Sequence, residues 1–340
     1  MIRNRRLFAA AAILAAPLIS GRAQSQGLDL TVNDVGVGIG NVPKVYGIRL
    51  NFRDTDDFDV RGINVTIWQP DAEPRGTVTG IALGIPMTGA ARITGLAAGI
   101  FGVSATERIT GVGIGGLGLG AGGRLDGIMI GGIGVGSGGS VHGLTLGGIG
   151  VGAGGALRGV TVGGIGVGSG AELSGLAIGG IGVGAGGSAN GILIGGIGVG
   201  TGGSLSGLSF GGVGVGAGGD VTGLTVAGIG VGSGGTLRWV SIAGVGVGAP
   251  RIEGVAIAAA VGAQDAKALI IAPAYMRIDR GTFTGVSASA FNHVKGSQHG
   301  LTIGVFNYAQ QLHGLQLGVL NYVRDNPRAF RLLPVVNVGR

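Results

Sequence analysis

Hydrophobic positions recur every sixteen residues through the middle of the chain. Residues 143–158 (GLTLGGIGVGAGGALR) are a typical unit, with aliphatic side chains at positions two, four, seven, nine and fifteen, counted from the opening glycine. The spacing of two within each group predicts β-strands and fits no helical period. A fixed short period indicates stacked units, each too small to bury its own apolar residues. The opening glycines are Gly111, Gly127, Gly143, Gly159, Gly175, Gly191, Gly207 and Gly223, and Trp239 takes the next place.

The alternation changes phase between positions four and seven, across Gly147 and Gly148. A corner or a β-bulge there would keep both aliphatic pairs on one side of the chain. Glycine permits the left-handed backbone that either device can require. Pro86, Pro273 and Pro334 stand at or beside this place in other units. Because proline cannot donate to a central ladder, we predict a corner.

Asparagine replaces glycine at position eight in the C-terminal units, which contain Asn292, Asn307, Asn321 and Asn337. Glycine and asparagine are the residues that best tolerate left-handed backbone, so the exchange indicates a special conformation. Two interpretations stand side by side. The asparagines lie in surface turns, or their amides form a hydrogen-bonded ladder along parallel, in-register strands.

Two all-β architectures fit the repeat. A tandem-repeat β-solenoid with 14–16-residue units has one unit per coil and aliphatic ladders in a narrow interior. An antiparallel outer-membrane β-barrel has one strand per unit, and its 11-residue strands match the ~9–11 residues that cross a bilayer. Position eleven alternates between a small apolar and a hydroxyl residue in successive units, which suits antiparallel neighbours. A lumen of glycine is unlike a polar porin interior, so we favour the solenoid.

Composition excludes several classes of protein. Glycine makes up 82 of 340 residues, against a usual ~7%, and 55 of these glycines lie in residues 111–240, where only six residues are charged. Such a bias is unlike an ordinary mixed α/β enzyme. An apolar content of 45% argues against disorder, and nine prolines with a sixteen-residue period argue against collagen.

The N-terminus has the pattern of an export signal. Arg3, Arg5 and Arg6 precede an apolar run over 7–19, and residues 21–23 form a small-x-small cleavage site. The Arg-Arg-x-Phe sequence also resembles a twin-arginine signal. Removal of residues 1–23 leaves 19 basic and 16 acidic residues, without the basic stripe that nucleic-acid binding needs. We divide the remainder into a lead-in (24–46), irregular repeats (47–110), glycine-rich repeats (111–250) and C-terminal repeats with a cap (251–340).

Candidate chemistry is sparse. Gly-x-Gly-x-x-Gly is uninformative in so glycine-rich a chain, and no Gly-Lys-Ser/Thr follows to bind phosphate. The four histidines lack zinc-ligand spacing, and the chain has neither a Gly-x-Ser-x-Gly elbow nor cysteine. We therefore predict no enzyme, cofactor or small-molecule substrate. One acidic run is a weak Ca²⁺ candidate, although a solvated loop is the favoured interpretation. It consists of Asp54, Asp56, Asp57 and Asp59.

Segments at both ends carry a family resemblance. Residues 45–52 (VYGIRLNF), 314–321 (GLQLGVLN), 325–328 (DNPR) and 332–337 (LLPVVN) resemble the bacterial surface repeat-containing proteins, exported chains of Gly-Leu-x-x-Gly-x-x-Asn units. The glycine-rich middle departs from that pattern. The resemblance implies export and a surface location, and it supplies no catalytic residues.

Together these features predict an exported, non-enzymatic surface repeat protein that acts as a structural, adhesive or self-associating scaffold. Its expected location is the cell surface or outer membrane, with the periplasm or the surrounding medium as alternatives, and its expected partner is the cell envelope or another copy of itself. The alternative is a barrel inserted in the outer membrane, with a possible role as a pore.

Overall fold

The chain is wound into a β-solenoid of about 15 turns. The computed structural model describes residues 27–54, 57–68, 70 and 74–339; the predicted signal peptide lies outside them. Strands of successive coils pair in parallel with a sixteen-residue offset through the core, so that Gly143 lies opposite Gly159. The solenoid prediction is confirmed, and the antiparallel barrel is wrong. The alternation at position eleven occurs between parallel neighbours, as with Ala153 and Ser169.

The N-terminal coils are irregular in length and begin with a reversed strand. Strand β1 pairs antiparallel with β2, and pairing is parallel from β2 onward. The first strand therefore covers the N-terminal edge of the sheet. The strands are β1 Leu28–Val32, β2 Val35–Ile39, β3 Lys44–Asn51, β4 Asp59–Thr66, β5 Thr77–Gly84, β6 Met87–Gly99 and β7 Gly102–Gly115.

Each core coil contributes one short and one long strand, which form opposite sides of the solenoid. The short strands are β8 Gly118–Ala121, β10 Gly134–Ser137, β12 Gly150–Ala153, β14 Gly166–Ser169, β16 Gly182–Ala185, β18 Gly198–Thr201, β20 Gly214–Ala217 and β22 Gly230–Ser233. The long strands are β9 Arg124–Gly131, β11 Val141–Gly147, β13 Leu157–Gly163, β15 Leu173–Gly179, β17 Ala189–Gly195, β19 Leu205–Gly211, β21 Val221–Ala227 and β23 Thr236–Ala243.

The C-terminal coils run together into longer strands and end in a second reversed strand. These strands are β24 Gly246–Ile257, β25 Ala260–Ile278 and β26 Thr282–Val323, followed by a 3₁₀ helix Arg328–Phe330 and β27 Leu332–Val338. Strand β27 pairs antiparallel with β26, so both ends of the solenoid carry a reversed strand. None of the described residues forms a helix long and apolar enough to cross a membrane.

The interior is narrow and is filled from positions three, five, nine, eleven and fifteen. Thr145, Val151 and Leu157 are all buried, which confirms the prediction for positions nine and fifteen. The prediction that positions two, four and seven also point inward is wrong. Along the long strand positions fifteen, three and five point inward, so strict alternation turns positions two and four outward.

The corner predicted at Gly147 and Gly148 is present, because β11 ends at Gly147 and β12 begins at Gly150. Neither Gly147 nor Gly148 has a positive φ, so the left-handed backbone expected there is absent. Glycine is needed for space instead: a Cβ on Gly148 would overlap the carbonyl oxygen of Gly132 in the preceding coil.

The three prolines mark interruptions of pairing, although only one marks the corner itself. Pro86 lies between β5 and β6, as predicted. Pro273 falls where the pairing of β25 with β26 skips from Ala272 to Tyr275. Pro334 lies within β27, opposite a register shift in β26. An edge strand tolerates proline because one side of its backbone needs no partner.

Position one is where glycine is required by conformation. Gly143 has φ +116°, and a Cβ there would also overlap the carbonyl oxygen of Gly127 in the preceding coil. The same holds for the aligned glycines from Gly47 to Gly223. At Trp239 a tryptophan occupies this column with φ +79°.

Gly143→Ala should lower the free energy of unfolding by about 3 kcal/mol, since strained φ and overlap with backbone act together. Gly152→Ala is the matched control: Gly152 faces open space without a positive φ, so its change should stay within about 0.5 kcal/mol. Urea unfolding followed by circular dichroism measures both. Equal stability of the two variants would contradict this account of position one.

Candidate functional site

Outward-facing aliphatic residues form three parallel columns along one side of the solenoid. We call this surface the apolar wall; it comprises positions two and four of the long strands and the corner residues at position seven. Each side chain lies opposite its equivalent in the next coil, because the strands pair in register. The position-two column is Val37, Ile48, Ile63, Ile81, Leu96, Val112, Ile128, Leu144, Val160, Leu176, Ile192, Leu208, Leu224, Val240, Val255, Leu269 and Val286.

The other two columns are nearly as uniform. The position-four column, which contains two alanines and one phenylalanine, is Ile39, Leu50, Val65, Leu83, Ala98, Ile114, Ile130, Leu146, Val162, Ile178, Ile194, Phe210, Val226, Ile242, Ile257, Ile271 and Ala288. The corner column is Leu117, Ile133, Ile149, Ile165, Ile181, Ile197, Val213, Ile229 and Val245, linked by backbone hydrogen bonds from each coil to the one before.

No side chain of the wall is buried: its residues range from half-buried, as at Leu144, to exposed. Val160 in the position-two column is 39% exposed, and Ile149 at the corner is 50% exposed. With strands about 4.8 Å apart, some 15 coils extend over about 70 Å. Positions two and four form a band about 10 Å wide along this length, and the corner column adds to it over nine coils. The area of about 700 Å² from positions two and four alone exceeds the few hundred Å² that monomers usually expose as one apolar patch.

The opposite side of the solenoid presents glycine. Position ten points outward on each short strand, and a Cβ added at Gly152, Gly168 or Gly200 would meet no atom within 4 Å. The two sides therefore differ in kind: one carries aliphatic side chains, and the other carries almost bare backbone.

Charged residues at positions fourteen and sixteen border the wall along one edge, and several of them pair with one another. Arg124 donates to Asp126 (2.7 Å), and Arg158 donates to Glu172 (3.2 Å). Arg238 contacts Asp220 at 2.9 Å. Hydrogen bonds from the Thr236 backbone N–H and from Arg238 lower the pKa of Asp220. The edge thus holds both signs of charge in contact.

The C-terminal asparagines form the predicted ladder, inside the solenoid. Asn292 donates its Nδ2 to Asn307 Oδ1 and Asn307 donates to Asn321 Oδ1, both at 2.7 Å, and all three residues are fully buried. Asn337, on the reversed strand β27, donates to the backbone oxygen of Asn321 (3.3 Å). The surface-turn interpretation is wrong, and so is the left-handed backbone, because none of these asparagines has a positive φ.

The acidic run near the N-terminus is divided between interior and surface. Asp54 is fully buried and accepts hydrogen bonds from Arg49 Nη1 (2.6 Å), Asn51 Nδ2 (3.1 Å), Asn64 Nδ2 (3.1 Å) and Thr66 Oγ1. Burial lowers the pKa of Arg49, and the Asp54 carboxylate opposes that shift.

The remaining aspartates of the run stay outside this network. Asp57 Oδ1 lies 3.7 Å from Arg75 Nε, and Asp59 Oδ2 lies 3.6 Å from Arg61 Nε. Asp56 lies outside the described residues. Among the residues with described positions, no group of three His, Asp or Glu side chains is placed to hold a metal ion.

The sequence did not lead us to expect two features, the buried Arg49 and the outward-facing apolar wall. Arg49 stands at inward position three, opposite Asn64 in the next coil, so counting strand parity from the buried position fifteen would have marked it as buried. The same count would have turned positions two and four outward and revealed the apolar wall.

Comparison with protein-family models, curated proteins and solved structures finds no match to this chain.

Asn307→Ala should lower the free energy of unfolding by about 3 kcal/mol, because buried Asn321 Oδ1 loses the amide that donates to it and buried Asn292 Nδ2 loses one of its acceptors. Asn190→Ala, at outward position sixteen, is the control and should change stability by less than about 0.5 kcal/mol. Thermal and urea unfolding report the difference. If Asn307→Ala were as stable as the control, the ladder would have no energetic role.

Proposed function

We propose that this chain is an exported, non-enzymatic surface repeat protein: a rigid scaffold that docks through its apolar wall onto another apolar surface at the cell envelope. The observation that carries the proposal is the continuity of the wall, whose position-two column is aliphatic in every coil from Val37 to Val286. An exposed apolar surface of this extent is typical of interaction sites.

The interior supports a scaffold role. Successive coils are joined by parallel backbone ladders, and the buried columns of small and aliphatic residues pack between the two sides. In a solenoid each coil contacts chiefly its neighbours, so stability adds along the axis and produces an elongated, regular body. Such a body holds the wall side chains in fixed rows, which suits adhesion or assembly.

The surface supports a binding role over a catalytic one. Its outward positions carry chiefly aliphatic side chains, glycine, small polar residues such as Asn190, or charges that contact each other, as at Arg158 and Glu172. Catalysis needs polar groups that converge on a reacting atom. The export part of the proposal rests on the signal-like pattern of residues 1–23 and on the resemblance to surface repeat-containing proteins.

Fractionation of cells that express the full chain tests this proposal. We expect the protein in the envelope fraction, accessible to added protease on intact cells. A variant with Ile149→Thr, Ile165→Thr and Ile181→Thr keeps β-branched strand formers but makes the corner column polar. It should shift toward the soluble fraction, because the docking surface loses apolar area.

The matched control for that experiment changes the glycine side instead. Gly152→Ser, Gly168→Ser and Gly200→Ser add three hydroxyls on the opposite side of the solenoid, and this variant should fractionate like the unmodified protein. Retention of the whole chain in the cytoplasm would contradict export. Identical fractionation of the two triple variants would contradict a docking role for the wall.

A further inference from the structure

The partner of the apolar wall can be argued from the wall itself. We infer that a second copy of this chain covers it, the two walls packing face to face, with Trp239 as an anchor at the edge of the interface. This inference rests on the docking function proposed above and names its partner.

The area of the wall suits a protein dimer. At about 700 Å² per protomer from positions two and four, two facing walls would bury about 1,400 Å² in total, before the corner column is counted. Stable protein interfaces typically bury about 1,200–2,000 Å². The wall is therefore large enough to form a complete interface without any other surface.

The spacing of the wall favours an identical partner. Its side chains repeat about every 4.8 Å along the solenoid axis, and positions two and four are about 7 Å apart along the strand. Interdigitation over 70 Å requires a partner with the same axial repeat, because even a small mismatch would accumulate over some 15 coils. A second copy has that repeat by construction, and facing sheets about 10 Å apart interdigitate in this way.

The charged edge favours protein over an anionic membrane. Attraction to anionic lipids comes from clusters of unpaired Lys and Arg. Along this edge Arg124, Arg158 and Arg238 each contact a carboxylate of the same chain. Both signs of charge border the wall, so the edge offers little net attraction to headgroups and remains compatible with an identical edge.

Trp239 carries the inference to a single residue. It replaces glycine in the position-one column, pairs in register with Gly223 and Gly254, and has a left-handed φ of +79°. Residues that carry a Cβ adopt this backbone at an energetic cost. The side chain is nevertheless 69% exposed, so little intrachain packing offsets that cost.

Trp239 stands where its side chain could contribute to an interface. Trp239 lies between Arg238, on the charged edge, and Val240, in the position-two column. Tryptophan is enriched among the residues that dominate binding energy, and strained conformations are concentrated at functional sites. Burial of the indole against the second copy would offset, in the dimer, the energetic cost of the left-handed backbone at Trp239.

Sedimentation velocity of the purified full-length chain, over a range of concentrations, tests the inference. The unmodified chain should dimerise. Trp239→Gly should raise the dimer dissociation constant at least about 30-fold, the effect of a hot-spot residue, while the melting temperature of the monomer stays the same or rises because the strain is relieved. A residue with a merely structural role would lower the melting temperature instead.

The two triple variants serve as internal comparisons. The Ile149, Ile165 and Ile181 variant should also weaken dimerisation, whereas the glycine-side variant should dimerise normally. An unchanged dissociation constant for Trp239→Gly would overturn its role as anchor. A monomer at every concentration that still fractionates with the envelope would overturn the second copy as partner while leaving the docking function intact. Flotation of such a monomer with neutral phosphatidylcholine vesicles would identify lipid as the occupant.

Discussion

The close approach of successive coils at position one is the constraint on which the rest of the structure depends. There the carbonyl oxygen of one glycine occupies the space that a Cβ of the next would need, as for Gly127 beneath Gly143. The contact recurs along the parallel ladders, both between irregular N-terminal coils, as for Gly62 and Gly80, and through the sixteen-residue core. Glycine therefore fills most of this column. Ala268 joins it without a positive φ, whereas Trp239 carries a side chain on a backbone of positive φ, which needs a reason.

In-register stacking turns a property of one unit into a property of a surface. A single outward leucine on a strand is unremarkable, since much of any protein surface is apolar. Repetition at the same position in every coil converts that leucine into a column, and three columns into a wall. The same multiplication operates inside, where asparagines at one position become the buried ladder from Asn292 to Asn321. The same register therefore aligns both the buried ladder that stabilises the interior and the exposed columns that form the apolar wall.

The sequence contains most of the fold but conceals which side of it faces outward. Its period predicted the solenoid and the Gly147–Gly148 corner, and it offered the asparagine ladder as one of two interpretations, because each depends on residues at fixed offsets. Orientation was mispredicted because every aliphatic column was assigned to the interior, whereas strand alternation places Thr145, Val151 and Leu157 there and turns positions two and four outward. The Arg49–Asp54 pair depends on how the loop after β3 folds back, which periodicity does not encode. The left-handed φ of Trp239 likewise cannot be read from a sequence pattern.

The reversed strands at the two ends have a consequence for how this protein can change through its gene. Strands β1 and β27 cover the ends of the sheet, and every core interface between them is of the same kind. Duplication or loss of forty-eight nucleotides within the core would add or remove one coil, preserve every column, and leave both ends covered. The length of the solenoid is then a heritable quantity, adjustable in steps of about 4.8 Å without redesign of the unit.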